Sequence, residues 1–207
     1  MIITKIERQK KNRSRISIFV DEQYAFSVSE EIYSRYILHT GQSLSEEERA
    51  EIEKAESESS VKRTALKYRS FRPRSRKEIS EYLKKKGYEE SAIVIGIQFL
   101  IDNNLINDEE FARMLCRDRL MLKPIGKSSM RQVLYKKGID RTATERILDE
   151  FYTAESEKAL ALKEGERKFK RVASLPVLTQ KKRIYEHLVR IGYDSSLSLN
   201  IVTQLVK

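Results

Sequence analysis

One short segment occurs three times in this chain of 207 residues, and it constrains the fold more than any other feature. The stretch EYLKKKGYEES returns as QVLYKKGIDRT and again as EHLVRIGYDSS. Gly87, Gly138 and Gly192 align the three copies, and they lie 51 and 54 residues apart. Self-similarity at a fixed period is the signature of stacked repeats, in which neighbouring units share a core. The sequence therefore predicts a tandem array.

Each copy predicts an amphipathic helix that ends at its glycine. Apolar residues stand eight and four positions before each glycine, and this spacing places them on one helical face. Glycine commonly follows the last turn of a helix, because it adopts the left-handed backbone conformation without strain. We expect six of these positions to be structural, namely Leu83, Gly87, Leu134, Gly138, Leu188 and Gly192.

A further helix precedes each copy and another follows it, so each repeat has three helices. We therefore predict a mainly α-helical protein whose tandem three-helix repeats form an elongated, curved solenoid. The first repeat is expected at residues 59–107, the second at 108–153 and the third at 154–207.

The first 58 residues differ from the repeats. Three β-prone runs, IITKIE, SRISIFVD and QYAFSVS, predict a small β-meander, with short helices completing residues 1–58. An acidic segment then runs from residue 44 to 60, and Ser45 and Glu48 have the spacing of a capping box. This segment is either a long solvated helix or a linker.

The net charge of +10 is concentrated in the repeats, since residues 62–90 and 158–192 each sum to +7. Basic blocks of this kind attract polyanions such as nucleic acid, or an acidic protein face. Charge alone does not separate these partners from an ordinary solubilising surface.

Two basic columns recur in register with the glycines. Two residues before each glycine stand Lys85, Lys136 and Arg190, where the helix dipole alone favours a cation. Eleven residues before each glycine stand Arg76, Lys127 and Lys181, near helix starts where a cation is mildly unfavourable. This second column suggests a reason outside the helix, such as an anionic partner. The predicted basic face comprises Arg72, Arg74, Arg76, Lys77, Lys85, Lys127, Arg131, Lys136, Lys181, Lys182 and Arg183.

The sequence predicts no catalytic residue, metal site or cofactor. The stretch IGKSS resembles part of a phosphate-binding loop, but Met121 stands where that loop requires a glycine. His187 falls on an apolar helix face, which favours a core or boundary position over a ligand. Cys116 is the single cysteine, so no internal disulfide is expected, and its helical setting predicts a buried thiol.

The sequence also predicts the compartment. No apolar run approaches the ~20 residues that a membrane-spanning helix needs. The start of the chain lacks the apolar segment of a secretory signal. We therefore expect a cytoplasmic protein, and we expect it to be a monomer.

At this point the chain resembles a known family, RecX, the bacterial regulators of the RecA recombinase. The resemblance rests on RPRSRKEISEYLKKKGY, LIDNNLINDEEFARML and GKSSMRQVLYKKGID. The N-terminal stretches ITKIERQKKNRSRISIFVDEQYAFSVS and YILHTGQSL are similar to the longer members from Gram-positive bacteria. The third repeat departs from the pattern, with Ile191 where the first two copies have lysine.

The resemblance implies a non-enzymatic protein of tandem three-helix repeats that binds RecA filaments along their helical groove. It implies modulation, and most simply inhibition, of strand exchange, ATP hydrolysis and co-protease activity, in homologous recombination, DNA repair and the SOS response. Binding of single- or double-stranded DNA by some members is also implied.

Two other functions remain open at this stage. One is a stand-alone DNA-binding protein whose repeats act like helix-turn-helix modules. The helices that would read bases, at 89–103 and 140–151, are poor in exposed arginine and asparagine, which counts against it. The other is an enzyme whose polar site is assembled from separate repeats.

Overall fold

The computed structural model describes residues 1–10 and 12–206. In this part of the chain the strands are β1 (Ile3–Arg8), β2 (Arg15–Val20) and β3 (Gln23–Ser29). The helices are α1 (Glu30–Arg35), α2 (Glu46–Ser70), α3 (Arg76–Lys85), α4 (Glu90–Asp102), α5 (Asp108–Leu122), α6 (Lys127–Lys136), α7 (Arg141–Phe151), α8 (Ala154–Val172), α9 (Val177–Arg190) and α10 (Ser195–Leu205). The predicted mainly α-helical architecture with an N-terminal β-meander is confirmed.

The meander is antiparallel in the order β1-β2-β3. Ile16, Ile18 and Val20 alternate along β2 and are all buried, so one face of the sheet forms a core. Ile32 of α1 and Ile52 of α2 belong to the same core. The sheet is thus covered on this face by the helices that follow it.

Helix α2 is a single helix of 25 residues, so the acidic segment forms the long helix of the two predicted alternatives and not a linker. The expected boundary between residues 58 and 59 falls inside this helix. No glycine or proline interrupts Glu46–Ser70, so nothing in the sequence ends the helix earlier. The Ser45–Glu48 capping box at its start is confirmed, with both hydrogen bonds present.

The chain divides into two compact units. The first comprises residues 1–72 and 79–105, and the second comprises 73–78 and 106–207. In the first unit α2 packs closely on α4, because Gly96 leaves room for the backbone and side chain of Val61.

Two clusters of buried apolar residues make up the core of the second unit. One cluster is drawn mainly from α5, α6 and α7 and includes Met130, Leu134 and Ile147. The other is drawn mainly from α8, α9 and α10 and includes Leu188 and Ile201. The first cluster lies within residues 111–152 and the second within residues 160–206.

The three repeat glycines end their helices in the same way. Their φ angles are +85° at Gly87, +80° at Gly138 and +95° at Gly192, all left-handed. In each copy the residue after the glycine donates its backbone N–H to the carbonyl of the leucine four positions before the glycine, at 3.1 or 3.2 Å. These three leucines are fully buried. The closure is a Schellman motif repeated three times.

The acid two residues after the glycine caps the next helix in two copies. Asp140 and Asp194 each accept hydrogen bonds from backbone N–H groups of the following turn. Glu89 occupies the same position before α4, and its side chain makes no capping bond within the described residues. The elongated, curved outline of the array stays a prediction.

Candidate partner-binding surface

Two of the three cations at the helix starts are paired with acids in their own unit. The backbone N–H of Arg76 donates to Asp108 at 2.8 Å, and its Nε lies 3.8 Å from the same carboxylate. Burial raises the pKa of Asp108, and Arg76 opposes that rise. Lys127 Nζ donates to Asp149 at 2.7 Å. These pairs offset the unfavourable helix dipole, so a partner outside the protein is not needed to explain these two positions.

The third member of this column has a different setting. Lys181 lies in the second turn of α9, since that helix begins earlier, at Val177. In the range that the structure describes, no acid pairs with Lys181, Lys182 or Arg183. Lys182 and Arg183 are exposed, and Lys181 is half-buried. The start of α9 is therefore a cationic surface with its charges available.

Arg131 is committed to an intramolecular pair. Its guanidinium donates to both oxygens of Glu145, at 2.6 and 2.8 Å, and Tyr135 donates to the same carboxylate at 3.3 Å. The hydrogen bond from Arg131 lowers the pKa of Glu145, and the reciprocal bond raises the pKa of Arg131. An anionic partner would have to displace Glu145 to reach this side chain.

The cations near the helix ends are exposed. Lys85 and Lys136 point to solvent, and no ion pair involves them among the residues that are described. Arg190 is exposed as well and approaches His187 Nδ1 at 3.3 Å. The helix dipole explains these positions without excluding a partner.

The segment between α2 and α3 carries the remaining predicted cations. Arg72 and Lys77 are exposed, and Arg74 is half-buried. Phe71 precedes them and is 73% exposed, which the sequence analysis did not anticipate. The structure places Arg72 and Lys85 in the first unit and the other nine predicted cations in the second.

Two further surface features escaped the sequence analysis. Lys84 pairs with Glu90 at 2.8 Å, and Lys86 lies over the ring of Tyr82 at 5.5 Å. The run of three lysines at 84–86 was visible in the sequence, but only its middle member matched the repeated column. Met121 and Leu122 end α5 with exposures of 80% and 81%, and no periodicity marked them in advance.

The perturbed titratable groups have structural causes. Burial raises the pKa of the Cys116 thiol to about 11, which keeps it protonated and confirms the predicted buried cysteine. Burial likewise raises the pKa of Tyr152 and Tyr193. The Tyr152 hydroxyl group donates a hydrogen bond to the carbonyl of Ile125 at 2.8 Å.

The histidine prediction is also confirmed, since the His187 side chain is 17% exposed. Burial, followed by the charges of Lys168 and Arg190, lowers its pKa, while Glu164 acts in the opposite direction. The Nε2 atom lies 3.8 Å from Glu164. This histidine therefore lies at the contact between α9 and α8.

Among the described residues, no group of three or more His, Cys, Asp or Glu side chains is placed to hold a metal ion. Within the same residues, no helix is both long enough and apolar enough to span a membrane.

Comparison with protein families matches three segments of the chain. Residues 1–45 match the N-terminal domain of regulatory protein RecX, 62–100 match its first three-helix domain, and 107–148 match its second. The first of these repeat segments lies inside the predicted range 59–107, and the second begins one residue before the predicted range 108–153.

Curated relatives match over nearly the whole chain. The regulatory protein RecX of Listeria monocytogenes strain HCC23 is 34% identical over 204 residues, covering 99% of this chain and 76% of the relative. That of Bacillus licheniformis is 35% identical, covering 93% and 73%. That of Clostridioides difficile strain 630 is 31% identical, covering 99% and 96%.

Two solved structures share the fold. A crystal structure of regulatory protein RecX has a TM-score of 0.75 and 28% identity, and the match covers 98% of each chain. The crystal structure of RecX from Lactobacillus salivarius has a TM-score of 0.66 and 26% identity, covering 73% of this chain and 97% of that one. On the relatives' identity and coverage, the chain belongs to the RecX family of regulatory proteins.

Proposed function

We propose that this protein binds RecA nucleoprotein filaments and inhibits their recombinase, ATPase and co-protease activities. The proposal places it in the cytoplasm as a monomer that acts in homologous recombination, DNA repair and the SOS response without catalysing a reaction itself. Membership of the RecX family supports a regulatory role.

The observation that carries the proposal further is the cationic surface at the start of α9, comprising Lys181, Lys182 and Arg183. An unpaired cation gains most from a partner that supplies the missing negative charge, and a RecA filament offers both DNA phosphate and acidic protein surface. The exposed Lys85 and Lys136 extend the same reasoning to the ends of α3 and α6.

The test is co-sedimentation of the protein with RecA filaments assembled on single-stranded DNA, together with DNA-dependent ATP hydrolysis by RecA. We expect the protein to sediment with the filaments and the hydrolysis rate to fall. Parallel titrations of single- and double-stranded DNA without RecA, at several salt concentrations, should give only weak binding that salt abolishes. Tight duplex binding without RecA would instead favour the stand-alone DNA-binding protein, and no sedimentation with filaments would refute the proposal.

Charge reversal at Lys182 tests the surface itself. Lys182→Glu should weaken filament binding by about tenfold, because it replaces an attraction with a repulsion. The matched control is Lys158→Glu, an exposed lysine of α8 that is outside the predicted basic face. Equal filament affinities for the two variants, at unchanged helicity, would remove Lys182 from the contact.

A further inference from the structure

The glycine turn of the third repeat serves as a docking element inside the second unit. The turn at Gly192 packs against the start of α6, where Gly126 and Ser128 donate their N–H groups to the carbonyls of Ile191 and Gly192 at 2.8 and 3.2 Å. The carbonyls at the end of α9 therefore meet N–H groups at the start of α6, and the two helix dipoles attract. A methyl group on Gly126 would overlap the backbone of Gly192 and Tyr193, so the approach is backbone to backbone.

The glycine turn of the second repeat also packs on a helix start, but through a side chain, and no described backbone N–H donates to the carbonyl of Lys137 or Gly138. A methyl group on Gly138 would lie 2.6 Å from Cβ of Lys77, which belongs to the first turn of α3. An ion pair between Lys137 Nζ and Glu78, at 2.7 Å, accompanies this contact. In both cases the turn that ends the middle helix of one repeat lies on the start of the middle helix of the repeat before it.

The glycine turn of the first repeat has no such cover. Apart from Gly87 and its two chain neighbours, no described residue has an atom within 4 Å of a methyl group built on Gly87, and the turn is exposed. Nor does any described donor reach the carbonyl of Lys86 or Gly87, the counterparts of the two acceptors used by the third repeat. The glycine turn of the first repeat is therefore left without a packing partner, whereas the glycine turns of the other two repeats each pack on the start of a helix.

The side chains around this turn indicate which partner fits. Lys85 is exposed beside the carbonyls, Lys86 is held over Tyr82, and Lys84 pairs with Glu90 only at the surface. The exposed carbonyls can accept hydrogen bonds from N–H donors, and the lysines attract carboxylates. The start of a helix supplies both, because its first N–H groups are free and acidic residues are favoured in its first turn.

From this geometry we propose that the Gly87 turn, with the lysines at 84–86, docks onto the start of an acidic helix of RecA in the filament. The inference rests on the proposed function and names the contact for the first repeat. The RecA helix should begin with glycine or another small residue, because the Gly192 junction tolerates no side chain at the facing position.

A cross-linking experiment locates the contact. Glu89→Cys places a thiol two residues after Gly87 while leaving the lysines intact, and the native Cys116 is buried with its pKa raised to about 11, so it will not compete at neutral pH. A maleimide–diazirine reagent on the new thiol, irradiated with RecA filaments on single-stranded DNA, should label residues in the first two turns of an acidic RecA helix. Lys54→Cys, on α2 of the same unit, is the control and should label elsewhere.

Filament affinity completes the test. Lys86→Glu should weaken co-sedimentation by about tenfold, whereas Lys54→Glu, which makes the same charge change at an exposed position, should leave it unchanged. Equal affinities, or labels from Glu89→Cys away from any helix start, would overturn the docking inference while the proposed function stands. Failure of the wild-type protein to bind filaments would overturn both. Circular dichroism and the thermal midpoint confirm that each variant is folded.

Discussion

His187 shows how its surroundings set the charge of a single residue. Arg190 donates toward Nδ1 at 3.3 Å, a geometry that suits a neutral ring, and Lys168 adds further positive potential. Glu164 is itself buried and already pairs with Arg167 at 3.2 Å, so it compensates only in part for the removal of the ring from water. The folded state therefore favours the neutral imidazole.

This setting predicts that acid weakens the fold through His187. Its pKa is lowered on folding, so the unfolded state binds more protons below the ordinary value of 6.5, and stability should fall as the pH drops through that value. Urea unfolding of the wild type between pH 7.5 and 5 should show this decline, and His187→Gln should reduce it. A full wild-type decline that persists in His187→Gln would contradict the assignment.

Two glycines predict different costs for the same substitution. Gly126 has an ordinary φ of −71°, but a methyl group there would overlap the Gly192 turn, so Gly126→Ala should destabilise the protein by roughly 3 kcal/mol or more. The methyl group of Gly87→Ala would enter open space, so the loss of stability should be only the cost of the left-handed backbone, about 1–2 kcal/mol. Urea unfolding at one pH measures both, and the opposite ranking would refute the junction described for Gly192.

For single residues, the sequence predicted the structure correctly where the same residue type recurs at the same position in all three repeats. The buried leucines and the left-handed glycines followed from helix geometry alone, and the structure confirms them. The ion partners of Arg76 and Lys127 did not follow, because Asp108 and Asp149 lie on other helices and no local spacing links them. The basic face that these two residues were assigned to stays a prediction.

Among the elements, α2 was the hardest to anticipate. Its acidic first half and its basic second half suggest two segments, yet they form one helix because no glycine or proline lies between them. Glu56 anchors this helix to the sheet. Its carboxylate accepts from the N–H and hydroxyl of Ser29, each at 2.7 Å, and from Arg15 and Arg63, each at 3.3 Å.

Removing this charge should release the helix from the sheet. Glu56→Gln should cost about 3 kcal/mol or more, because it leaves the partly buried Arg15 without its carboxylate partner and weakens the bonds to Ser29. Glu53→Gln, at an exposed i,i+4 pair with Arg49 on the same helix, should cost a few tenths of a kcal/mol. The measurement is the urea-unfolding free energy of the two variants, and equal losses would show that Glu56 is not an anchor.

For the whole molecule, the important question is which cations are not paired with acids of the protein and can contact a partner. Many cations pair with acids of their own unit, as Arg113 does with Glu150 and Arg131 with Glu145. The start of α9 and the turn at Gly87 keep cations that are not neutralised in this way. Sequence composition gave the total of +10 and the two basic blocks, but the tertiary fold decides which charges face a partner.

These available charges predict a salt-dependent interaction with the filament. Raising the salt concentration should weaken co-sedimentation of the wild-type protein, because counterions released on binding drive part of the affinity. If Lys182 meets DNA phosphate, Lys182→Glu should lower the slope of log affinity against log salt by about one. Lys158→Glu should keep the wild-type slope, and an unchanged slope in both variants would exclude a phosphate contact for Lys182.

The length of α2 has a mechanical consequence for the first unit. Twenty-five helical residues measure about 37 Å. The meander packs on this helix at Ile52 and Glu56, and α4 packs on it at Val61. A truncation at residue 45, where the N-terminal family match ends, would remove the sheet that packs on α2 and expose the apolar side chain of Ile52 to solvent. The N-terminal segment therefore forms one folded unit with the first repeat and is not an independent domain.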